Sequence, residues 1–218
     1  MSTKQHSFDD MRKNVESLAE SIMKRVSRMP ADACFSRSDF ASLGTRLAVS
    51  QALSRLERAG ILSSPVRGYY YRRRMSKLLG VEMPPDFAAL AAAIARNSGW
   101  TIIPCGDIAA NDLGLSTQVP AVWSYVSTGP YRTYTIGKMR LEFKHTANRE
   151  LFNMSKMSAL CVQAIKAFGK DGVTPEMIKR LELVLSSRDK DALTKETSHV
   201  TSWIYDVIRR IGKDQEHA

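Results

Sequence analysis

The chain has 218 residues, 44% of them apolar and 25% charged, with a formal net charge of +10. That balance excludes a disordered or collagen-like chain and allows one or two domains with buried cores. The longest small apolar stretch, Phe87 to Ala95, falls short of the ~18 residues a membrane helix needs, and the polar start MSTKQHSFDDMRKN has no apolar signal segment, so a cytoplasmic protein is expected.

Residues 8–28 place Met11, Val15, Leu18, Ile22 and Val26 at spacings of three and four, which predicts an amphipathic helix ended by Pro30. Ser36 to Asp39 has the S-x-x-D form of a helix start, and Gly44 closes a short helix there. Thr45 caps a third helix, Arg46 to Ala59, stopped by Gly60. Ile61-Leu62, a turn at Ser63-Ser64-Pro65, and the run Val66 to Tyr71 predict a hairpin. Helix, short helix, tight turn, helix and hairpin in that order predict a winged helix-turn-helix. Residues 75–86, punctuated by Gly80, Pro84 and Pro85, read as a linker.

Beyond it the pattern predicts an Ala-rich helix from Asp86 to Asn97, a strand at Thr101–Ile103 and a small helix at Ile108–Leu113. Three β-like runs follow, Ala121–Val126, Arg132–Ile136 and Met139–His145, with turns at Gly129-Pro130 and Gly137-Lys138. The remainder is helical, with apolar positions at Met157–Phe168, Met177–Leu185 and Val200–Ile211. The expected fold class is α+β: an N-terminal winged helix-turn-helix over residues 1–80, then a mixed domain with a small β-sheet and C-terminal helices over 81–218.

Charge is unevenly placed. Residues 1–80 hold 15 Lys and Arg against 7 Asp and Glu, and residues 81–218 hold 17 against 15. The positive field therefore belongs to the first third of the chain, where a polyanion partner is expected. On a helical wheel Val49, Ala52, Leu53, Leu56 and Ala59 share one face of the third helix. The opposite face holds Leu47, Gln51, Ser54, Arg55 and Arg58, with Arg46 and Ser50 at its margins and Glu57 on the flank. A helix entering the major groove presents donors and no anions: Arg reads guanine, Gln reads adenine and Ser fits either. Leu47 either touches a thymine methyl or packs against the preceding helix. Arg67, Arg72, Arg73 and Arg74 surround Gly68-Tyr69-Tyr70-Tyr71 and are expected on phosphates. Strand alternation puts Tyr69 and Tyr71 on one side and Tyr70 on the other; one side packs on the helices and the other can lie along a phosphate backbone. The expected DNA-binding set is Thr45, Arg46, Ser50, Gln51, Ser54, Arg55, Arg58, Arg67, Tyr69, Arg72, Arg73 and Arg74.

In the second half, Lys138, Arg140, Glu142 and Lys144 share one strand face, which reads either as a second basic surface or as a solvated strand. Asn111, Ser116, Thr117 and Gln118 form a polar loop that either satisfies backbone groups or binds a ligand. Glu142-Phe143-Lys144 has the E-x-K form of metal-dependent nucleases, with Asp107 or Asp112 as the further acid such an enzyme needs. Alternation already explains Glu142 and Lys144, and no enzyme activity is expected. Cys34, Cys105 and Cys161 are far apart and read as reduced, buried thiols. His6, His145, His199 and His217 have no zinc spacing, and neither a phosphate-binding G-x-x-x-x-G-K-[ST] nor a G-x-S-x-G is present, so no metal or cofactor is expected.

Phe35-Ser36-Arg37, Asp39-Phe40, Ala52-Leu53-Ser54-Arg55-Leu56 and Arg67-Gly68-Tyr69-Tyr70 resemble the N-terminal winged helix of AbiEi-like antitoxins. The stretch from Cys105 to Pro120, containing Ala109-Ala110-Asn111-Asp112-Leu113-Gly114-Leu115-Ser116-Thr117-Gln118, adds to the resemblance, as do Tyr134-Thr135-Ile136-Gly137 and Phe143-Lys144-His145. It runs from about residue 8 to 210. The resemblance implies a repressor that binds inverted repeats in its own promoter, one copy per half-site and so a dimer on DNA. It implies that the second domain, with Lys138, Arg140 and Lys144 as its surface, counteracts a nucleotidyltransferase-like toxin encoded alongside, without need of a stable complex, in phage defence. The alternative is a stand-alone regulator whose second domain senses a ligand or dimerises.

Overall fold

The computed structural model describes residues 17–78, 80–147 and 150–212. The chain is mixed α and β, with two small sheets, and divides into two compact units, Met1–Asn97 and Ser98–Ala218. Among the described residues no helix is long and apolar enough to cross a membrane.

Helix α1 is Leu18–Ser27, started by a capping box in which Ser17 and Glu20 exchange hydrogen bonds. That box sets the beginning of the described helix ten residues after the predicted one; Met11 and Val15 lie outside the described residues. Strand β1, Cys34–Ser36, leads into a 3-10 helix, Arg37–Phe40, whose start is the expected Ser36–Asp39 box. Helix α2, Arg46–Arg58, is capped by Thr45 Oγ1 accepting from the Ala48 N–H at 3.3 Å, and Gly60 (φ 71) turns the chain out of it. Strands β2, Leu62–Val66, and β3, Tyr69–Arg72, follow, and the sheet order is β1-β3-β2. The turn sits at Arg67-Gly68, not at Ser63-Ser64-Pro65. Gly68 takes the left-handed φ of 86 there, which a β-branched or bulky residue rarely adopts. Pro65 is tolerated inside β2 because that strand is at the sheet edge and its register slips between Ser63 and Val66.

The two faces of this sheet pack differently. Ile22 and Val26 of α1, Val49, Leu53 and Leu56 of α2, and Phe35, Phe40 and Leu62 form one core, with Tyr70 packed against it. Tyr69 and Tyr71 point the other way, toward polar partners. Helix α3, Phe87–Ser98, is tied back to the sheet: Arg96 pairs with Asp39 at 3.0 Å and donates to the Cys34 carbonyl, and Asn97 bonds Tyr69, Ser36 and Ser38. These bonds place α3 in the first unit, so the chain divides at Asn97/Ser98 and not near residue 80.

The expected linker is ordered in part. Met75 bridges Glu82, and the Ser76 N–H donates to the Val81 carbonyl. The Glu82 carboxylate accepts from Ser63 Oγ and from Tyr71 Oη (3.1 Å) and lies 2.8 Å from Arg73 Nε. The Ser63 hydroxyl first, then Tyr71 and Arg73, hold this carboxyl below its ordinary value of 4.5 against the opposing effect of burial. A lowered folded pKa contributes stability that is present above the unfolded value and lost as pH falls through the folded one. Glu82→Gln is expected to be less stable than wild type at about pH 7, by a gap that narrows as the pH falls to about 3. Urea denaturation at the two pH values reads the difference; an equal gap at both would show that the loop does not depend on the charge.

The second sheet has the order β4-β5-β7-β6, with β4 Ile102–Pro104, β5 Val122–Ser127, β6 Arg132–Ile136 and β7 Met139–His145. β5 and β7 are parallel, and β6 lies antiparallel beyond β7. Residues 128–131 therefore pass the end of β7, where the Gly129 carbonyl meets His145 Nδ1 at 2.9 Å and Tyr131 sets its ring edge against His145. A Cβ on Gly129 would collide with the Trp100 ring, which fixes glycine at that crossing. One face of the sheet carries a cluster around Phe143, in contact with Trp100, Tyr125 and Tyr134. Helices α4 Asp107–Asp112, α5 Glu150–Asn153, α6 Lys156–Phe168, α7 Pro175–Val184, α8 Ser187–Glu196 and α9 Ser202–Gly212 complete the unit. Their core is Cys161, Ala164 and Ile165 of α6 against Ile178, Leu181, Leu193, Ile204 and Ile208.

Candidate nucleic-acid interface

Helix α2 buries Val49, Ala52, Leu53 and Leu56 and turns Arg46, Leu47, Gln51, Arg55 and Arg58 to solvent, with Ser50 and Ser54 half-buried between. Ala59, expected on the apolar face, is the exposed C-cap instead. Leu47 is 68% exposed and takes no part in the first unit's core. The face opposite the core thus carries guanidinium, amide and hydroxyl groups around one leucine. Among the described residues Arg46, Arg55, Arg58 and Arg67 make no ion pair. Thr45 is exposed, and its hydroxyl oxygen is engaged as the helix cap.

The cations of this region are all of one kind. Every basic residue from 25 to 76 is arginine. A planar guanidinium donates two parallel hydrogen bonds to a phosphate or to a guanine edge, which an ammonium cannot do.

A groove of about 530 Å³ lies between α2 and the β2–β3 turn, lined by Ser50 and Ser54 of the helix, Arg67 and Tyr70 of the hairpin, Arg37 and Asn97. Tyr70 is half-buried there; burial first, and the Glu57 charge next, push its hydroxyl pKa up. A second groove of about 430 Å³ shares Arg37 and Asn97 and is bounded by Arg46. Arg37 stands exposed between the two. Neither Arg37 nor Asn97 was among the residues expected at this surface. Arg37 sits inside the Ser36–Asp39 box, which explains the local sequence without it, and Asn97 arrives only through tertiary contact.

Two expected contacts change character. Tyr69 is 9% exposed, and its hydroxyl accepts from Asn97 Nδ2 at 3.1 Å, so it stands inside the sheet's second face and not along a backbone. Arg73 is exposed but paired with Glu82, which neutralises one member of the arginine triplet; Arg72 and Arg74 are half-buried. Arg67, at the hairpin tip, is exposed and makes no ion pair among the described residues.

In the second unit Lys138, Arg140 and Lys144 are all exposed. Glu142 lies between two of them, 3.4 Å from Arg140 Nη2 and 4.0 Å from Lys144 Nζ, which makes the strand face mixed in charge. Among the described residues no three His, Cys, Asp or Glu side chains come together as metal ligands. The polar loop after α4 bonds inward: Asn111 Nδ2 donates to the Gln118 carbonyl at 2.6 Å, and the Gln118 N–H donates to Ser116 Oγ. Gly114 (φ 66) closes α4, with its N–H on Asn111 and that of Leu115 on Ala110, a helix end that needs a left-handed residue at that point. Cys34, Cys105 and Cys161 are buried and unpaired, and burial pushes the thiols up, Cys34 and Cys161 to about 12. They are inert thiols at neutral pH.

Residues 20–193 match the model of a family of unknown function, DUF6088. The chain belongs to that family. Among solved structures it is similar to the RV2827C protein from Mycobacterium tuberculosis, with 14% identity and a TM-score of 0.49 over 88% of this chain and 74% of that one. No curated protein matches the sequence.

Proposed function

We propose that this DUF6088 chain is a DNA-binding regulator, in which residues 17–74 act as a winged helix, α2 enters the major groove and the β2–β3 hairpin is the wing. The observation that carries this reading is the exposed face of α2, where Gln51 stands with Arg46, Arg55 and Arg58, which make no ion pair among the described residues, beside a groove lined by two more arginines and by no carboxylate among those residues. A duplex offers the matching acceptors, guanine O6 and N7 in the major groove and phosphates along its rim. Working partly through charge, the complex is expected to lose roughly 10³ in affinity between ~50 and ~200 mM salt if about six phosphates are contacted. Fluorescence anisotropy with a duplex from the chain's own upstream region reads that slope. A flat salt dependence, or no binding, would exclude the reading.

The protein is proposed to act in the cytoplasm, as the antitoxin half of an operon whose promoter it represses. Inverted repeats there would take two copies, one per half-site. The AbiEi-like resemblance alone supports the antitoxin role, and Lys138, Arg140 and Lys144 are its proposed surface against a nucleotidyltransferase-like toxin. Co-expression with the adjacent gene tests it: a toxic neighbour rescued by this chain supports the role, and a harmless neighbour leaves a stand-alone regulator.

A further inference from the structure

Asn97, in the last turn of α3, has its side chain bonded at both ends. Its Oδ1 accepts from Ser38 Oγ at 2.7 Å and lies 3.2 Å from Ser36 Oγ, whose proton it shares with Asp39. Its Nδ2 donates to the Tyr69 hydroxyl at 3.1 Å. Ser36 and Ser38 flank Arg37 in the chain, and Tyr69 stands two residues from Arg67, across the Gly68 turn. Ser36 and Tyr69 are also ladder partners of β1 and β3, so the amide braces an existing strand pair at the point where Arg37 and Arg67 reach the same groove of about 530 Å³. Arg37 and Arg67 are exposed, and no carboxylate lines the groove. Two guanidinium groups that make no ion pair among the described residues, beside the Ser50 hydroxyl, make a site for a doubly or singly charged oxyanion.

We propose that this groove clamps one backbone phosphate of duplex DNA between Arg37 and Arg67, with Asn97 as the positioning residue that braces, through side chains, the Ser36–Tyr69 ladder pair beside which both arginines leave the sheet. The proposal rests on the DNA-binding reading above and adds two residues to it. A backbone phosphate is favoured over a free anion because Ser50 and Ser54 belong both to the groove and to the polar flank of α2. A phosphate seated there would lie at the rim of the duplex that α2 reads, and would fix the helix's register without itself carrying sequence information.

The experiment is a scan of single methylphosphonate substitutions, which remove one phosphate charge at a time, along the bound duplex. At one position per half-site, wild type is expected to lose about tenfold in affinity. Arg37→Ala with Arg67→Ala is expected to lose nothing further there. The double arginine variant should lower the magnitude of the salt slope by about one, the loss of one phosphate contact, and each single variant by less; both side chains are exposed, so folding is not at stake. Asn97→Ala should blunt the same methylphosphonate effect with both arginines in place; a merely structural role would lower Tm and leave the position-specific effect intact. If wild type binds DNA but no position loses its effect in the double variant, the clamp is wrong and the DNA-binding reading survives. If inorganic phosphate alone raises the Tm of wild type and not of the double variant while the scan stays flat, the groove is a free-anion site and the clamp is equally overturned. Absence of any DNA binding removes both.

Discussion

Replacing Arg55 and Arg58 together by Ala is expected to weaken binding to the promoter duplex by roughly 30-fold to 10⁴-fold, from about 1–3 kcal/mol for each arginine that contacts a base. Both side chains are exposed on α2 and make no ion pair among the described residues, so their removal breaks nothing in the folded protein. The loss should be larger on the promoter than on an unrelated duplex, because a base contact discriminates and a phosphate contact does not. Competition anisotropy with both duplexes reads this directly. A variant that loses the same factor on each would show that Arg55 and Arg58 meet phosphates only. Unchanged affinity on both would remove α2 from the interface.

The second large effect is on stability. Phe143 is 1% exposed and lies against three aromatic rings, with centroids 5.7 Å from Trp100, 6.0 Å from Tyr125 and 6.1 Å from Tyr134. It occupies β7, the strand enclosed between β5 and β6. Phe143→Ala is expected to cost ~3–5 kcal/mol, the transfer of a large ring plus the cavity it leaves. Urea denaturation gives the number. A loss under ~1 kcal/mol would mean that the neighbouring rings collapse into the space or that the cluster is not packed as described.

The local chemistry of the chain carried much of this fold in its residues. Ser36 with Asp39, Thr45 and Gly60 mark the ends of their helices by bonds that need only near neighbours, and each does so in the structure. The buried stripe of Val49, Ala52, Leu53 and Leu56 follows from period alone. Where a choice depended on distant residues, local signals were insufficient. Ser63-Ser64-Pro65 has the composition of a turn, yet the chain turns at Arg67-Gly68, since an edge strand accepts a proline and Gly68 takes the left-handed φ. Gly129-Pro130 has the composition of a hairpin turn between β5 and β6, but β7 inserts between those strands. Period and turn residues say nothing about which strand a third one will separate.

The candidate surface divides the same way. The polar face of α2 was legible because a helical wheel is a local construction. The groove beside it was not, because the serines on either side of Arg37 bond an amide about sixty residues further along the chain. Tyr69 was read as an outward donor on alternation alone; the partner that takes its hydroxyl, Asn97, comes from a helix that sequence reading had assigned to the other domain. Arg73 looked equivalent to its neighbours until Glu82 returned across the loop to meet it.

The most direct measurement is dimethyl sulfate methylation of the promoter duplex with and without the protein, because guanine N7 lies in the major groove and adenine N3 in the minor. The account predicts guanine N7 protection at one or two positions in each half-site, abolished when Arg55 and Arg58 are both alanine. Full N7 reactivity in a saturated complex, with only adenine N3 shielded, would contradict it, since the α2 face would then have no place among the bases it is held to read.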